Sequence, residues 1–241
     1  MEPMKLDILA ISAHPDDIEL SCSGTLIAHK SQGYTTGILD LTEGEMSTRG
    51  TPETRQKESA EASEIMGLSL RENLGLSDAK FDLSFENQLR VIKVLRKFRP
   101  EIILANALYD RHPDHVRAAE LIEEAVFKSG LVKIETEDEK GVQSPWRPKK
   151  VYHYIQSVSL EPDFICDISA HMEEKIASIR VFKSQFFDPK SKEPNTYISN
   201  PDFLKLIEAR SREWGHRIGV SFGEGFVQRQ SLGVKNLFDL V

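Results

Sequence analysis

Cysteine is nearly missing from this chain of 241 residues: Cys22 and Cys166 are the only two. They stand far apart and lack Cys-x-x-Cys spacing. That excludes a disulfide framework, and both are expected to be buried free thiols packed as small hydrophobes. Long apolar runs are missing too. No stretch approaches the ~18 residues of a membrane span, and the start Met-Glu-Pro-Met-Lys lacks the apolar core of a signal peptide. The expectation is a cytoplasmic protein with no membrane partner. An excess of positive charge is also absent, since 31 Lys and Arg against 38 Asp and Glu give a net charge of −7. This leaves no basic footprint for nucleic acid or an anionic membrane. Internal repeats and low-complexity linkers are absent, so residues 1–241, with 39% hydrophobic and 29% charged residues, are expected to form one large α/β domain.

What is present starts at residues 7–19, Asp-Ile-Leu-Ala-Ile-Ser-Ala-His-Pro-Asp-Asp-Ile-Glu. The short apolar run Ile8 to Ala13 suits a fully buried strand of a parallel sheet. Pro15 stops it, and Pro15, Asp16 and Asp17 suit the first turn of a helix, where the dipole favours acidic groups. His14, Asp16 and Asp17 therefore gather where a strand gives way to a helix, the usual place for ligands in open α/β sheets.

The chain continues in alternation. A helix is expected over 17–32, ended by Gly33, then a strand over 35–42 and a loop rich in Gly, Ser and Thr. Thr51 caps a helix with Pro52 at its first position, running to Met66 and stopped by Gly67. Residues 72–76 read as a short strand, 85–98 as an amphipathic helix, 101–107 as a buried strand and 115–128 as a helix. Residues 130–148 read as a surface connection. Strands follow at 151–158 and 164–168, and helices at 170–187 and 201–217. The glycine-rich, aromatic tail after Arg217 is expected to cover the site or an interface. The alternation predicts right-handed βαβ units and a mostly parallel, Rossmann-like sheet sandwiched by helices. The first turn has no Gly-x-Gly-x-x-Gly, which argues against a dinucleotide cofactor.

The exit of the 101–107 strand, Asp-Arg-His-Pro-Asp-His at 110–115, repeats the opening arrangement. Parallel strands bring their C-terminal ends to one edge of a sheet, so the two His-Pro-Asp turns can meet. Two imidazoles and one carboxylate make the ligand set of an open catalytic zinc site, with the fourth position left to water. The remaining His and Asp side chains are then free for acid–base work. His29, His153, His171 and His216 have no partner at ligand spacing and are expected to pack or face solvent. The run Phe182 to Phe187 reads as core, with Gln185 able to face the site.

His14-Pro15-Asp16-Asp17 with His112-Pro113-Asp114-His115 resembles the PIG-L or LmbE-like family of zinc-dependent N-acetylglucosaminyl deacetylases. So do Thr54-Arg55-Gln56-Lys57-Glu58, Asn73 to Asp78, Lys183 to Phe186 and Trp214 to Val220. The later segments resemble most closely the bacillithiol-biosynthesis branch, which acts on N-acetyl-D-glucosaminyl L-malate. The resemblance implies that His14, Asp17 and His115 hold Zn2+, with Fe2+ another possible occupant. It implies Asp16 as general base and His112 as the donor to the oxyanion, with Asp114 orienting His112 or capping the helix. For the substrate, an N-acetylated glucosaminide, it implies Arg55 and Asp78 on the sugar, and Arg111 is a further candidate for an anionic aglycone. Some relatives carry a Tyr where this chain has Asp110, and no tyrosine role is carried over. A closed homo-oligomer, a hexamer in some relatives, is expected on the same ground.

Overall fold

The computed structural model describes residues 4–239. In chain order the elements are β1 (Ile8–Ser12), α1 (Asp17–Ser21), α2 (Ser23–Ser31), β2 (Thr36–Thr42), α3 (Pro52–Met66), β3 (Leu70–Leu76) and α4 (Phe85–Phe98). Next come β4 (Ile102–Ala105), α5 (Pro113–Ser129), a two-strand ribbon of β5 (Glu137–Asp138) and β6 (Gly141–Val142), β7 (Lys150–Tyr154) and β8 (Phe164–Asp167). Then follow α6 (Met172–Arg180), α7 (Phe203–Arg217) and β9 (Gly223–Val227), with a single helical turn at Leu237–Asp239.

Seven strands form one sheet in the order β3-β2-β1-β4-β7-β9-β8. The first five pair in parallel, as strands that alternate with helices must if every crossover is right-handed. Side chains alternate across the sheet with a period of two. Leu9, Ile11, Leu39 and Ile103 pack under α4 and α5 with Ile92, Leu95 and Ile122. Ile8, Ala10, Ile38 and Leu104 face the opposite layer with Ile18, Leu26, Tyr154 and Phe226. The mostly parallel, helix-flanked sheet is thus the one the sequence predicts.

The helix termini follow local chemistry. The Thr51 hydroxyl accepts from the Thr54 N–H at 3.2 Å with Pro52 at the first position, and Gly67 closes the same helix at φ 62°. In that left-handed conformation a Cβ would be strained.

Four expectations need correction. The helix expected over 17–32 is broken at Cys22 into α1 and α2. The break is stabilised by groups from far along the chain: Glu224 accepts from the N–H of Gly24 at 3.0 Å and of Thr25 at 2.7 Å. Lys175 Nζ caps the other side, donating to the carbonyls of Glu19 and Leu20 and to Glu224 at 2.7 Å. The helix expected to Phe187 stops at Arg180, and Glu58 of α3 takes both the N–H and the hydroxyl of Ser184, at 2.8 and 2.7 Å. The glycine-rich tail does not line the cavity. It supplies β9, which is antiparallel to both β7 and β8. Gly215 permits this, because a Cβ there would lie 2.5 Å from the Phe222 nitrogen where α7 crosses the start of β9. Finally, Cys22 is buried as expected but Cys166 is only partly so; both are free thiols.

Candidate active site

β1 and β4 are neighbours, and their connections leave toward opposite sides of the sheet, β1 to β2 and β4 to β7. A crevice opens at the carboxyl ends of strands where the order reverses in this way. There lies a cavity of about 360 Å³ lined by both His-Pro-Asp turns, the loop after β2, Asp78 after β3 and Gln156 after β7. The C-terminal half of the chain adds residues of α7 and the segment before it.

In the first turn, Asp16 takes φ 105° as it precedes α1. This conformation is sparsely populated by residues other than glycine, although Asp tolerates it better than most, and it costs on the order of 1 kcal/mol. It turns the Asp16 carboxylate into the cavity while Asp17 begins the helix. The Asp17 carboxylate is tied down by the His14 backbone N–H at 3.1 Å and by Asn106 Nδ2 at 3.2 Å. His14 Nε2 meets Asp78 Oδ1 at 2.9 Å, and its Nδ1 lies 3.7 Å from Asp17 Oδ2.

The second turn mirrors this. His115 Nδ1 lies 2.5 Å from Asp110 Oδ2, and its Nε2 lies 3.1 Å from Asp17 Oδ1. Each imidazole has one nitrogen on a carboxylate and the other directed at Asp17. Around an ion with bonds of ~2.0–2.1 Å, tetrahedral donors stand about 3.3 Å apart. Asp17 stands at about that spacing from each imidazole, 3.7 Å from His14 through Oδ2 and 3.1 Å from His115 through Oδ1. His14, His112 and His115 also lie close enough for one nitrogen of each to approach a common point, as do His14, Asp78 and Asp114.

Electrostatics fit the same picture. Burial alone would push His14 down, but hydrogen bonds to Asp114, Asp17 and Asp78 outweigh it and hold it well above 6.5. His115 is likewise opposed by burial yet raised to about 9 by the charge of Asp17 and its bond to Asp110. Asp17 is held well below the usual carboxylate range, because the charge of His115 and its bond outweigh burial. A surplus of negative charge around two imidazoles is what a cation would meet. Asp16 behaves oppositely: burial pushes it up to about 7 against the pull of Arg55. Its Oδ2 is buried without a hydrogen-bond partner, and Arg55 Nη1 stands 3.4 Å away. His112 is lowered by burial, then by the charges of His115 and His14. Its Nδ1 accepts from the Asp114 backbone N–H at 3.2 Å, so the neutral ring carries its proton on Nε2.

Three residues differ from their sequence assignments. Asp114 meets His112 through its backbone, so its carboxylate neither orients that ring nor caps α5. It instead accepts from Ala79 N at 2.9 Å and bonds Arg117, and the cap of α5 is the His112 ring itself. Asp78, expected on a sugar hydroxyl, has Oδ1 on His14 and Oδ2 accepting from Met46 N at 3.0 Å. Arg55 lines the cavity, but its fork is engaged by the Pro15 carbonyl, by Gln185 Oε1 at 2.5 Å and by Ser47 Oγ at 3.1 Å. Arg111 is exposed at the rim, stacked 4.4 Å above the Tyr197 ring.

Sequence reasoning missed Asp110 and Asn106. Asn106 is tied to Gln156 Oε1 at 3.0 Å, and its carbonyl lies 2.7 Å from Nδ1 of fully buried His153. Asp110, five residues before His115, is a spacing that could have been noticed. Asn106 has no signal until β4 ends where it does.

The PIG-L family model, GlcNAc-PI de-N-acetylase, matches residues 9–126, a span that holds both turns. A diacetylchitobiose deacetylase of Thermococcus kodakarensis is 31% identical over 193 residues, covering 74% of this chain and 70% of that protein. A probable N-acetyl-alpha-D-glucosaminyl L-malate deacetylase 2 of Bacillus anthracis is 26% identical over 132 residues, 49% of this chain and 58% of that one. Among solved structures, a conserved protein of Thermus thermophilus superposes with a TM-score of 0.85 at 39% identity, over 95% of this chain and 97% of that one. The N,N'-diacetylchitobiose deacetylase of Pyrococcus horikoshii superposes with a TM-score of 0.78 at 26% identity, over 100% and 90%. With the family model on both turns and such a relative across most of both chains, the protein belongs to the PIG-L, or LmbE-like, family of N-deacetylases, hydrolases of amide bonds.

Proposed function

We propose that the protein is a zinc-dependent enzyme that removes the acetyl group from an N-acetylglucosaminide, with N-acetyl-D-glucosaminyl L-malate, a bacillithiol precursor, first among substrates. The observation that carries this reading is the buried Oδ2 of Asp16, which accepts no hydrogen bond and has only the Arg55 charge 3.4 Å away, beside His14, Asp17 and His115. A protein that only bound metal or sugar would have no use for it.

His14, Asp17 and His115 would hold the ion, Zn2+ or in its place Fe2+. When bound, that ion polarises the acetamide carbonyl and makes a nearby water more acidic. Asp16 accepts the proton of this water as its oxygen bonds to the carbonyl carbon. The Nε2–H of His112 donates to the oxygen on which charge develops; one such donor is worth ~3 kcal/mol of barrier. The Asp16 carboxyl, protonated in the first half of the reaction, then returns the proton to the amide nitrogen. The C–N bond breaks, and acetate and the free amine leave. Asp110 and Asp78 hold the distal nitrogens of the two ligating imidazoles, which fixes their tautomers. Arg111 is left as the exposed cation for the aglycone, and Arg55 holds Asp16. A cytoplasmic homo-oligomer belongs to the same reading and rests on composition and family resemblance.

The test is release of a free amine from N-acetylglucosaminyl malate, with and without a chelator. Chelator-sensitive release is the expected result. Faster turnover of diacetylchitobiose or a mycothiol precursor would move the substrate assignment. Bound zinc with no release from any glucosaminide would reduce the protein to a binder.

A further inference from the structure

The acids and the cations that line the cavity come from different parts of the fold. The acidic residues that line it, Asp16, Asp17 and Asp78, all sit in or against the first His-Pro-Asp turn. Arg210 of α7 also lines the cavity, over the Trp214 ring at 5.1 Å and without a carboxylate in contact. Its fork donates to two neutral acceptors, the Gln156 carbonyl and the Leu20 carbonyl, the latter at 3.4 Å. Among the described residues no carboxylate oxygen lies within ion-pair reach of it. The other largely buried arginines are satisfied. Arg71 has Asp40 at 2.8 Å and Glu19 at 2.6 Å, Arg55 has Asp16 at 3.4 Å and Arg49 has Glu193 at 3.7 Å. Arg96, which has no carboxylate, is filled by four acceptors: the carbonyls of Ser129, Ile134 and Leu131 and the hydroxyl of Thr136. Arg210 has half that number and faces the cavity.

A guanidinium taken out of water without a counter-charge is costly, and buried charges are as a rule paired. Burial pushes Arg210 below the usual arginine range, although the more distant charges of Glu224 and Asp110 pull the other way. A second cation, Arg111, reaches the cavity over the Tyr197 ring. A planar fork with two neutral acceptors and no carboxylate in ion-pair contact, lining the cavity, is matched by a carboxylate that arrives with the ligand.

We infer that Arg210, with Arg111 at the rim, forms a subsite for a carboxylate on the aglycone, so that the enzyme selects anionic over neutral glucosaminides. This rests on the deacetylase reading above and names the residue that sets its substrate class. In this assignment Arg210 acts by binding alone.

The first arm needs no variant. Wild-type turnover of N-acetylglucosaminyl malate is compared with that of its dimethyl ester, which keeps the shape and removes the charge. The expected result is a kcat/KM at least tenfold lower for the ester, expressed mainly in KM; equal values overturn the inference. The second arm repeats the pair with Arg210→Met and Arg210→Lys. The preference for the free acid should collapse in the first and fall several-fold in the second, which keeps a cation but loses the fork. A preference that survives in both overturns the assignment to Arg210, and Arg210→Lys decides alone if Arg210→Met does not fold. The third arm is independent of turnover: L-malate is titrated calorimetrically into wild type and Arg210→Lys. Binding weakened several-fold in the variant supports the subsite even if no amine is released. No binding to wild type, or equal binding to both, overturns it.

Discussion

His115 Nδ1 and Asp110 Oδ2 are 2.5 Å apart, and the other oxygen of Asp110 accepts from the Val158 N–H at 2.8 Å. The carboxylate is thus held by the loop after β7 while it holds the imidazole that faces Asp17. Carboxylates in this position fix the tautomer of a ligating histidine, and their loss costs ~10–100-fold in metal affinity. Asp110→Asn should weaken zinc binding by about that factor, as read by competition with a chromogenic chelator. Unchanged affinity would remove Asp110 from the metal centre.

Asp16→Asn should lose ~10²–10⁴ of turnover, since proton transfer by a positioned side chain contributes that much. Zinc content and melting temperature should stay near wild type, because Asn tolerates the φ of 105° at this position and keeps the side-chain shape. Near-wild-type amine release by this variant would sink the mechanism.

His112→Gln removes the Nε2–H donor and the ring that caps α5. A fall in kcat of ~10²–10³ is expected with KM little changed, as for loss of one oxyanion donor. If KM rises instead and kcat holds, His112 binds substrate in its ground state only.

The titration of His115 gives a pH signature. In metal-free protein its value is about 9 against 6.5, so its contribution is complete below 6.5 and is lost as pH rises through 9. Asp16, raised to about 7, acts in the same direction at lower pH. The His115 shift is worth roughly 3 kcal/mol, or on the order of 5–10 °C of melting temperature. Metal-free protein should melt lower at pH 9.5 than at pH 6. Zinc-loaded protein should not follow, because the ion takes the place of the proton, so the gap between the two melting curves should widen with pH. Parallel curves would contradict this.

Glu224 and Lys175, each 1% exposed, form the buried pair that joins the broken ends of α1 and α2. Glu224→Gln leaves the ammonium without its counter-charge and should cost ~3–5 kcal/mol. Lys175→Met should cost less in denaturant titrations, because Glu224 keeps the N–H groups of Gly24 and Thr25. The reverse order would assign the cap to the lysine.

Much of this was legible in one sequence because its signals are local. Thr51, Pro52 and Gly67 delimit α3 through their own backbone preferences, and each His-Pro-Asp turn announces the end of a strand. What escaped depended on distant partners. The break at Cys22 is made by Glu224 and Lys175, about 150 to 200 residues later in the chain. The capture of the tail by the sheet edge turns on Gly215, whose missing Cβ matters only where α7 meets Phe222. Asp78 and Arg55 were placed near the site but given other neighbours, since a type and a motif do not say which hydrogen-bond partner wins.

The two halves of the metal centre lie on adjacent strands yet stand about 100 residues apart in the chain, His14 after β1 and His115 after β4. A ribosome adding ~5–20 residues per second delivers the second half some 5–20 s after the first. Until β4 has docked beside β1, the emerging chain offers only one imidazole and two acids, a weak and unselective site. If these residues hold an ion, the complete ligand set exists only once β4 has docked beside β1.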